Sequence, residues 1–148
     1  MIDSLVIATD GSESVARAVD VALDFADRFE ASVHALYVIE KSEISSAPEE
    51  LRDRLEAALE NQGEEALESV RAKAGREITT VIRTGSPAAE IARYARRVDA
   101  DLVATGTRGR HGEDRFLIGS VAERVVRTCP VPVLTIRQLE EDEVAIRR

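Results

Sequence analysis

Residues 102–109 read LVATGTRG, and after nine further residues comes Gly119-Ser120. Leu102–Thr105 is short, apolar and aliphatic, which predicts a buried strand ending at Gly106. Beyond Ser120, the residues Val121, Ala122, Val125 and Val126 are spaced for one face of a helix, with Ser120 placed to cap it. A strand, a glycine loop and a helix start together describe a cradle for an anion. The first helical N–H groups lack intrahelical partners, and the helix dipole favours negative charge beside them. Glycine at 106 and 109 would let the backbone approach a phosphate with no Cβ in the way. No Gly-Lys-Ser/Thr follows Gly106, so this is not a Walker A loop. Glycine after a strand and serine before a helix are also ordinary punctuation, and the wider chain must decide between the two.

Working outward, Ser4–Ala8 (SLVIA) predicts a buried first strand, closed by Thr9-Asp10-Gly11-Ser12. Val15, Ala18, Val19, Ala22, Leu23 and Ala26 repeat at helical spacing to about Phe29. Ser32–Ile39 predicts the second strand, and Glu40–Ala47, which lacks periodicity, a mobile loop. Pro48 suits the first turn of a helix that Leu51, Leu55, Leu59, Leu67 and Val70 carry to about Ala74, with Gly63 marking a bend. Glu77–Arg83 predicts the third strand, Thr84–Pro87 a turn, and Ala88–Arg97 a short helix. After the glycine loop come helix Ser120–Thr128 and a fifth strand, Val131–Ile136. Gln138–Arg148 is polar and expected to be weakly ordered. Strand and helix alternate throughout, which implies a parallel sheet covered on both faces. In such sheets ligands sit beyond the carboxyl ends of strands, where strand order reverses. The turn at Asp10 and the loop at Gly106 both lie at carboxyl ends, which favours the phosphate cradle over punctuation.

The chain has 148 residues, enough for one domain with its own core. No apolar run reaches the length of a membrane span, and Met1-Ile-Asp-Ser leads straight into strand-like sequence. A soluble protein made and kept in the cytoplasm is expected. Cys129 is the only cysteine, so an internal disulfide is excluded, and His34 and His111 are too isolated for a metal pair. The net charge of −8 makes the chain a poor binder of nucleic acid or anionic membrane. Its 20 basic residues include only two lysines, Lys41 and Lys73, a balance that hints at a salt-rich cytoplasm where screening relieves self-repulsion. An ordinary acidic protein would look the same.

Three features together resemble the universal stress protein (UspA-like) family: the opening SLVIATDGSESVARAV, the loop TGSPAAEI, and Gly106-x-x-Gly109-x9-Gly119-Ser120 before CPVPVLTIR. The resemblance covers residues 2–137, with a family domain over 1–137 and a polar C-terminal tail at 138–148. The glycine pattern is that of the ATP-binding branch. The resemblance implies a single-domain, open five-stranded parallel sheet in the order 3-2-1-4-5 with helices on both faces. This is the Rossmann-like, adenine nucleotide alpha hydrolase-like α/β arrangement, with the nucleotide between strands one and four. It places Ala8, Thr9 and Asp10 against the nucleoside and the backbone of Val38 against adenine. Many relatives have proline where this chain has Ala8. Thr105 and Gly106 would lie near base and ribose, and Gly109, Gly119, Ser120 and Val121 would hold phosphates. On residue type alone, Asp10 reads better as a turn residue before Gly11, and Val38 as sheet core, a role compatible with a backbone contact.

Between Gly106 and Gly119, Arg108, Arg110 and Arg115 outnumber Glu113 and Asp114, a local excess of positive charge on an acidic chain. Arg108 and Arg110 are candidate phosphate partners, or solvated loop arginines; His111 is expected to be an exposed loop residue. Glu113 or Asp114 could hold Mg²⁺ on the phosphates, although the spacing does not demand it. Pro130 and Pro132 suit an edge strand. The family commonly pairs this strand with its copy, so a homodimer through Val131–Ile136 is expected, the alternative being a tail folded over the edge. The expected function is an ATP-binding, nucleotide-dependent stress-response switch acting through a protein partner. A slow ATPase, or a protein binding AMP or cyclic AMP, is the alternative, as is a dimeric module without nucleotide. No residue is placed as a catalytic base, and the SGG-x-DS loop of ATP pyrophosphatases is absent after strand one.

Overall fold

Strand β1 (Ser4–Ala8) occupies the centre of the sheet because SLVIA is apolar on both of its faces. In the computed structural model, which describes residues 1–108 and 118–146, Leu5, Val6 and Ile7 are fully buried. Alternation along the strand sends Leu5 and Ile7 into one core and Val6 and Ala8 into the other. On one side β1 pairs in parallel with β2 (Ser32–Glu40), Leu5 opposite Val33. Outside β2 lies β3 (Thr79–Gly85). On its other side β1 pairs with β4 (Leu102–Gly106), Leu5 opposite Leu102, and β5 (Val133–Ile136) completes the sheet. The five strands run β3-β2-β1-β4-β5, all in parallel.

Helices α1 (Ala16–Phe29) and α3 (Arg52–Ala74) cover the Leu5/Ile7 face through residues such as Ala22, Leu59 and Leu67. A short helix, α2 (Lys41–Ser45), follows β2. Helices α4 (Pro87–Arg97) and α5 (Ser120–Thr128) cover the opposite face through Ile91, Tyr94, Ala95 and Val125. The amino end of β1 is pinned by Asp101, whose Oδ2 accepts from the N–H groups of Asp3 (2.8 Å) and Ser4 (3.0 Å). Those two bonds hold the Asp101 carboxyl below its ordinary pKa.

Several local expectations shift. Glu40–Ala47 is not an unstructured loop: β2 runs on to Glu40, and Lys41–Ser45 forms α2, too short to show helical periodicity. Pro48 opens a single 3-10 turn, Glu49–Leu51, ahead of α3. Strand β3 begins two residues later than local pattern implies and extends through Thr84 and Gly85, which pair with Ile39 and Glu40. The supposed turn residues are thus held by their neighbour strand. Strand β5 starts at Val133 rather than Val131. A short helix, α6 (Glu141–Ile146), forms within the polar tail, Glu143 reaching back to the Glu140 N–H at 2.9 Å.

Gly63 marks no break, since α3 is one helix from Arg52 to Ala74. It marks a close approach instead. A Cβ at Gly63 would lie 2.8 Å from Cδ1 of Tyr37, a ring only 2% exposed, and 3.1 Å from Cδ1 of Ile82. Alanine improves helix propensity by ~1 kcal/mol, but overpacking against a rigid buried ring costs ~1–3 kcal/mol. Gly63→Ala is therefore expected to lower stability in denaturant titration; a higher unfolding midpoint would show that α3 has room to move.

Between β2 and α4, His34 Nδ1 meets the Tyr94 hydroxyl at 2.9 Å, and the Arg83 guanidinium stands over the Tyr94 ring. Burial lowers the His34 pKa below its ordinary 6.5. The unfolded chain therefore takes up this proton more readily than the folded one. Stability is full above 6.5 and declines as the pH falls through that value. His34→Gln should flatten the dependence of Tm on pH in this window, whatever its effect on Tm itself.

Candidate functional site

The ladder between β1 and β2 ends at Ala8 opposite Leu36, closed by a bond from the Thr9 N–H to the Leu36 carbonyl (3.0 Å). Strand β2 continues past that point to Glu40. Leu36 directs its carbonyl at β1, so alternation turns the N–H and C=O of Val38 to the same edge, beyond the end of β1. On the other side of β1, β4 runs to Gly106 and the chain turns away at Thr107. Between these two strand ends lies a cavity of about 280 Å³. It sits beside the carboxyl end of β1, where strand order reverses, and its volume is near the lower bound of ~300 Å³ for small-molecule sites.

The described candidate residues converge on this cavity. Ala8, Thr9 and Asp10 reach it from the end of β1, Val38 from β2, and Thr105, Gly106 and Arg108 from β4 and the turn beyond. Gly119, Ser120 and Val121 reach it from the start of α5. Gly109, together with Arg110, His111, Glu113, Asp114 and Arg115, lies outside the described residues.

Asp10 organises its own turn. Its Oδ1 accepts from the Ser12 N–H (2.9 Å) and the Ser12 hydroxyl (2.6 Å), while the Gly11 N–H donates to Thr9 Oγ1 (3.1 Å). Gly11 takes φ +77°, and a Cβ there would press on Ala66 Cβ at 2.9 Å, so the turn needs glycine on both counts. Thr9 and Thr105 are buried at the floor, the Thr105 hydroxyl donating to the Gly106 carbonyl (3.3 Å). Gly106 allows β4 to approach the segment before α1: a Cβ would lie 3.1 Å from Val15 Cγ1 and 3.3 Å from the Ser14 carbonyl oxygen.

Gly119, not Ser120, caps α5. It has extended backbone angles, and its carbonyl accepts the first helical bond from the Glu123 N–H (2.9 Å). The Gly119 N–H donates to the Thr107 carbonyl (2.5 Å), tying the helix start to the loop after β4. Ser120, Val121 and Ala122 line the cavity, and their N–H groups belong to the first turn, which has no intrahelical acceptor for them. Two further donors stand unpaired at this rim. The Thr107 hydroxyl and Arg108 Nε are buried with no hydrogen-bond partner among the described residues, and the Arg108 side chain is only 10% exposed. The Arg108 guanidinium is held loosely by Glu140, Nη2 to Oε1 at 3.7 Å. This side of the cavity therefore presents donors and positive charge, as an anion requires.

Sequence reasoning missed Glu40 and Glu43, which line the β2 side of the cavity. The signal existed: Leu36, Val38 and Glu40 fall on one face of a strand by their spacing of two. It was lost by ending the strand at Ile39.

The sequence matches the universal stress protein family model over residues 1–137. It is 37% identical over 142 residues to universal stress protein MJ0531 of Methanocaldococcus jannaschii, covering 93% of this chain and 84% of that protein. The chain belongs to the universal stress protein family. Among solved structures, the hypothetical protein MJ0577 superimposes with a TM-score of 0.83 at 26% identity, covering 95% of this chain and 99% of that one. A universal stress protein in complex with cAMP superimposes with a TM-score of 0.67 at 26% identity, covering 92% of this chain and 97% of that one. The family's Rossmann-like sheet is thus the fold of this chain. Among the described residues no helix is long and apolar enough to cross a membrane.

Proposed function

We propose that this universal stress protein binds an adenine nucleotide, ATP, in the crevice between β1 and β4, and acts as a nucleotide-dependent switch in the stress response through a protein partner. The observation that carries this reading is the β4 rim. There the first-turn residues of α5, whose N–H groups have no intrahelical acceptor, line the same cavity as a nine-tenths buried arginine whose Nε has no partner among the described residues. Phosphates at this rim would take up those donors, and the edge of Val38 beyond β1 would offer a base one donor and one acceptor. Thr9 and Asp10 would lie against the ribose between them. The structural likeness to a family member in complex with cAMP supports a mononucleotide in the same crevice and keeps AMP and cyclic AMP as the second reading. Glu113 and Asp114, the candidates for Mg²⁺ on the phosphates, lie outside the described residues.

Calorimetry with Mg-ATP, AMP and cyclic AMP, beside the nucleotide content of protein purified without added ligand, tests the reading. Gly119 has φ −69° and ψ 159°, angles a β-branched residue also adopts. Gly119→Val should therefore keep the fold while its side chain crowds the rim. Micromolar binding of ATP that weakens at least about tenfold in this variant, at unchanged circular dichroism, is expected. A folded wild-type protein that takes up none of these nucleotides would overturn the site.

The homodimer is proposed on the β5 edge. Pro132 and Ile136 direct their carbonyls at β4, to the N–H groups of Val103 and Thr107. By alternation Thr135 turns its N–H outward, away from β4. An exposed strand edge of this kind invites pairing. Light scattering should give twice the 16.2 kDa chain mass, and Thr135→Pro, which removes only an outward donor, should shift the protein to monomer. A wild-type monomer at all concentrations would remove the dimer from the proposal.

A further inference from the structure

Neighbouring parallel strands end on the same edge of a sheet, so the chain leaving β5 emerges beside the chain leaving β4. Gly106 stands opposite Ile136, and the Thr107 N–H donates to the Ile136 carbonyl (3.2 Å). The C-terminal tail, which lies beyond residues 1–137 of the family domain, therefore starts at the anion rim. Its first residues are tied to α1. The Arg17 guanidinium donates to the Arg137 carbonyl (2.8 Å), and the Arg17 N–H donates to the Gln138 side-chain oxygen (3.0 Å). Arg137 then holds the Glu143 carboxylate (2.7 Å), whose other oxygen accepts the Glu140 N–H (2.9 Å). This places the Glu140 carboxylate against Arg108, Oε1 to Nη2 at 3.7 Å, too long for a hydrogen bond. A buried cation needs a paired anion, and Glu140 is the one ionic partner of Arg108 among the described residues. Arg108 lines the cavity, whereas Glu140 is no part of its described wall. The tail carboxylate thus leaves the crevice open and acts on it only through the arginine.

We infer that Glu140 is an internal stand-in for phosphate: it competes with the nucleotide for Arg108, and bound nucleotide in turn loosens α6. This regulation rests on the nucleotide site proposed above and names the tail as the part of the chain that responds. A half-exposed carboxylate without a hydrogen bond is a weak partner. A phosphate in the crevice can accept two guanidinium N–H groups at once and is the stronger one. Two carboxylates tie α6 down, Glu143 to Arg137 and Glu140 to Arg108. Phosphate on Arg108 removes the second tie. Linkage makes the effect reciprocal: by whatever factor the docked tail weakens nucleotide, nucleotide weakens docking of the tail.

The test uses the full chain, as wild type, Glu140→Gln and Glu141→Gln, in calorimetric titrations with ATP, tripolyphosphate and adenosine. The backbone of Glu140 supplies its bonds within α6, and glutamine keeps them. Glu141 is exposed in the first turn of α6, so its glutamine variant removes an equal charge and leaves the Arg108 contact in place. Glu140→Gln should tighten ATP and tripolyphosphate by about twofold to fivefold and leave adenosine unchanged. Glu141→Gln should stay close to wild type with all three. In wild type, saturating ATP should speed hydrogen exchange at the Val144 amide, which donates to the Glu140 carbonyl, and Glu140→Gln should abolish that response. Unchanged ATP affinity in Glu140→Gln overturns the inference and leaves the nucleotide site standing, as does a Val144 amide that ignores ATP in wild type. Equal tightening by both variants overturns it in favour of bulk charge, and tightening that extends to adenosine overturns it in favour of a reshaped cavity. Wild type that binds neither ATP nor tripolyphosphate is a different result, because it removes the anion rim and the competition with it.

Discussion

The structure depends on a length mismatch at its centre. Strand β1 spans five residues, covered by helices on both faces and by strands on both edges. Its neighbour β2 spans nine. Buried backbone must be paired, and along Ser4–Ala8 the ladders supply that pairing. Once β1 turns away at Thr9, β2 and β4 flank a gap that no strand fills. The order reversal deepens it, because connections leaving β1 and β4 pass to opposite faces and α5 returns to close one side. The cavity is a consequence of this topology rather than a local feature of a loop.

What lines the gap follows from how its walls are tied. The Gly119 N–H to Thr107 carbonyl bond fixes the start of α5 against the end of β4, so the first-turn donors point at a constant place. Buried donors without partners are uncommon in native proteins, because desolvating each one costs ~1–3 kcal/mol. The Thr107 hydroxyl and Arg108 Nε occur together at one rim of one cavity. Arg108 has an ionic partner in Glu140, but that carboxylate is half exposed and 3.7 Å away. Such a contact is worth ~0–1 kcal/mol and does not satisfy Nε. A preformed, underused donor set is the physical state expected of an anion site before its anion arrives.

Much of this was legible in the chain, for reasons that differ between elements. SLVIA and LVAT are apolar on both faces, so burial alone identifies them as central strands, and both strand starts agree with the structure. Ser120–Thr128 carries its own helical periodicity and keeps those bounds. The strand order rested on family resemblance, since periodicity says nothing about which strands are neighbours. Failures fell where tertiary contacts decide. Thr84 and Gly85 look like a turn, yet Ile39 and Glu40 hold them in a ladder. Gly63 looks like a bend in the helix, yet its missing side chain is the space filled by Tyr37. Ser120 is the better capping residue by type, but the loop bond through Thr107 places the cap at Gly119. Glu40 was overlooked because the strand was ended at Ile39, and Glu43 because a five-residue helix has no apolar stripe to announce it.

The overall charge of −8 and the polyanion site proposed here are compatible because they act over different distances. Repulsion of a phosphate by carboxylates spread over the surface is a long-range effect in water, and salt reduces it over a Debye length of ~10 Å at 0.1 M. Attraction of an anion at the crevice would come from the buried Arg108 and the first-turn N–H groups of α5 at contact distance, where little solvent intervenes and screening is weak. Of the carboxylates that line the crevice, Glu40 and Glu43 stand on the β2 side, away from this rim, and Asp10 lies at the end of β1 between the two sides. An acidic surface therefore acts by charge at a distance, while the donors inside the crevice act only at contact.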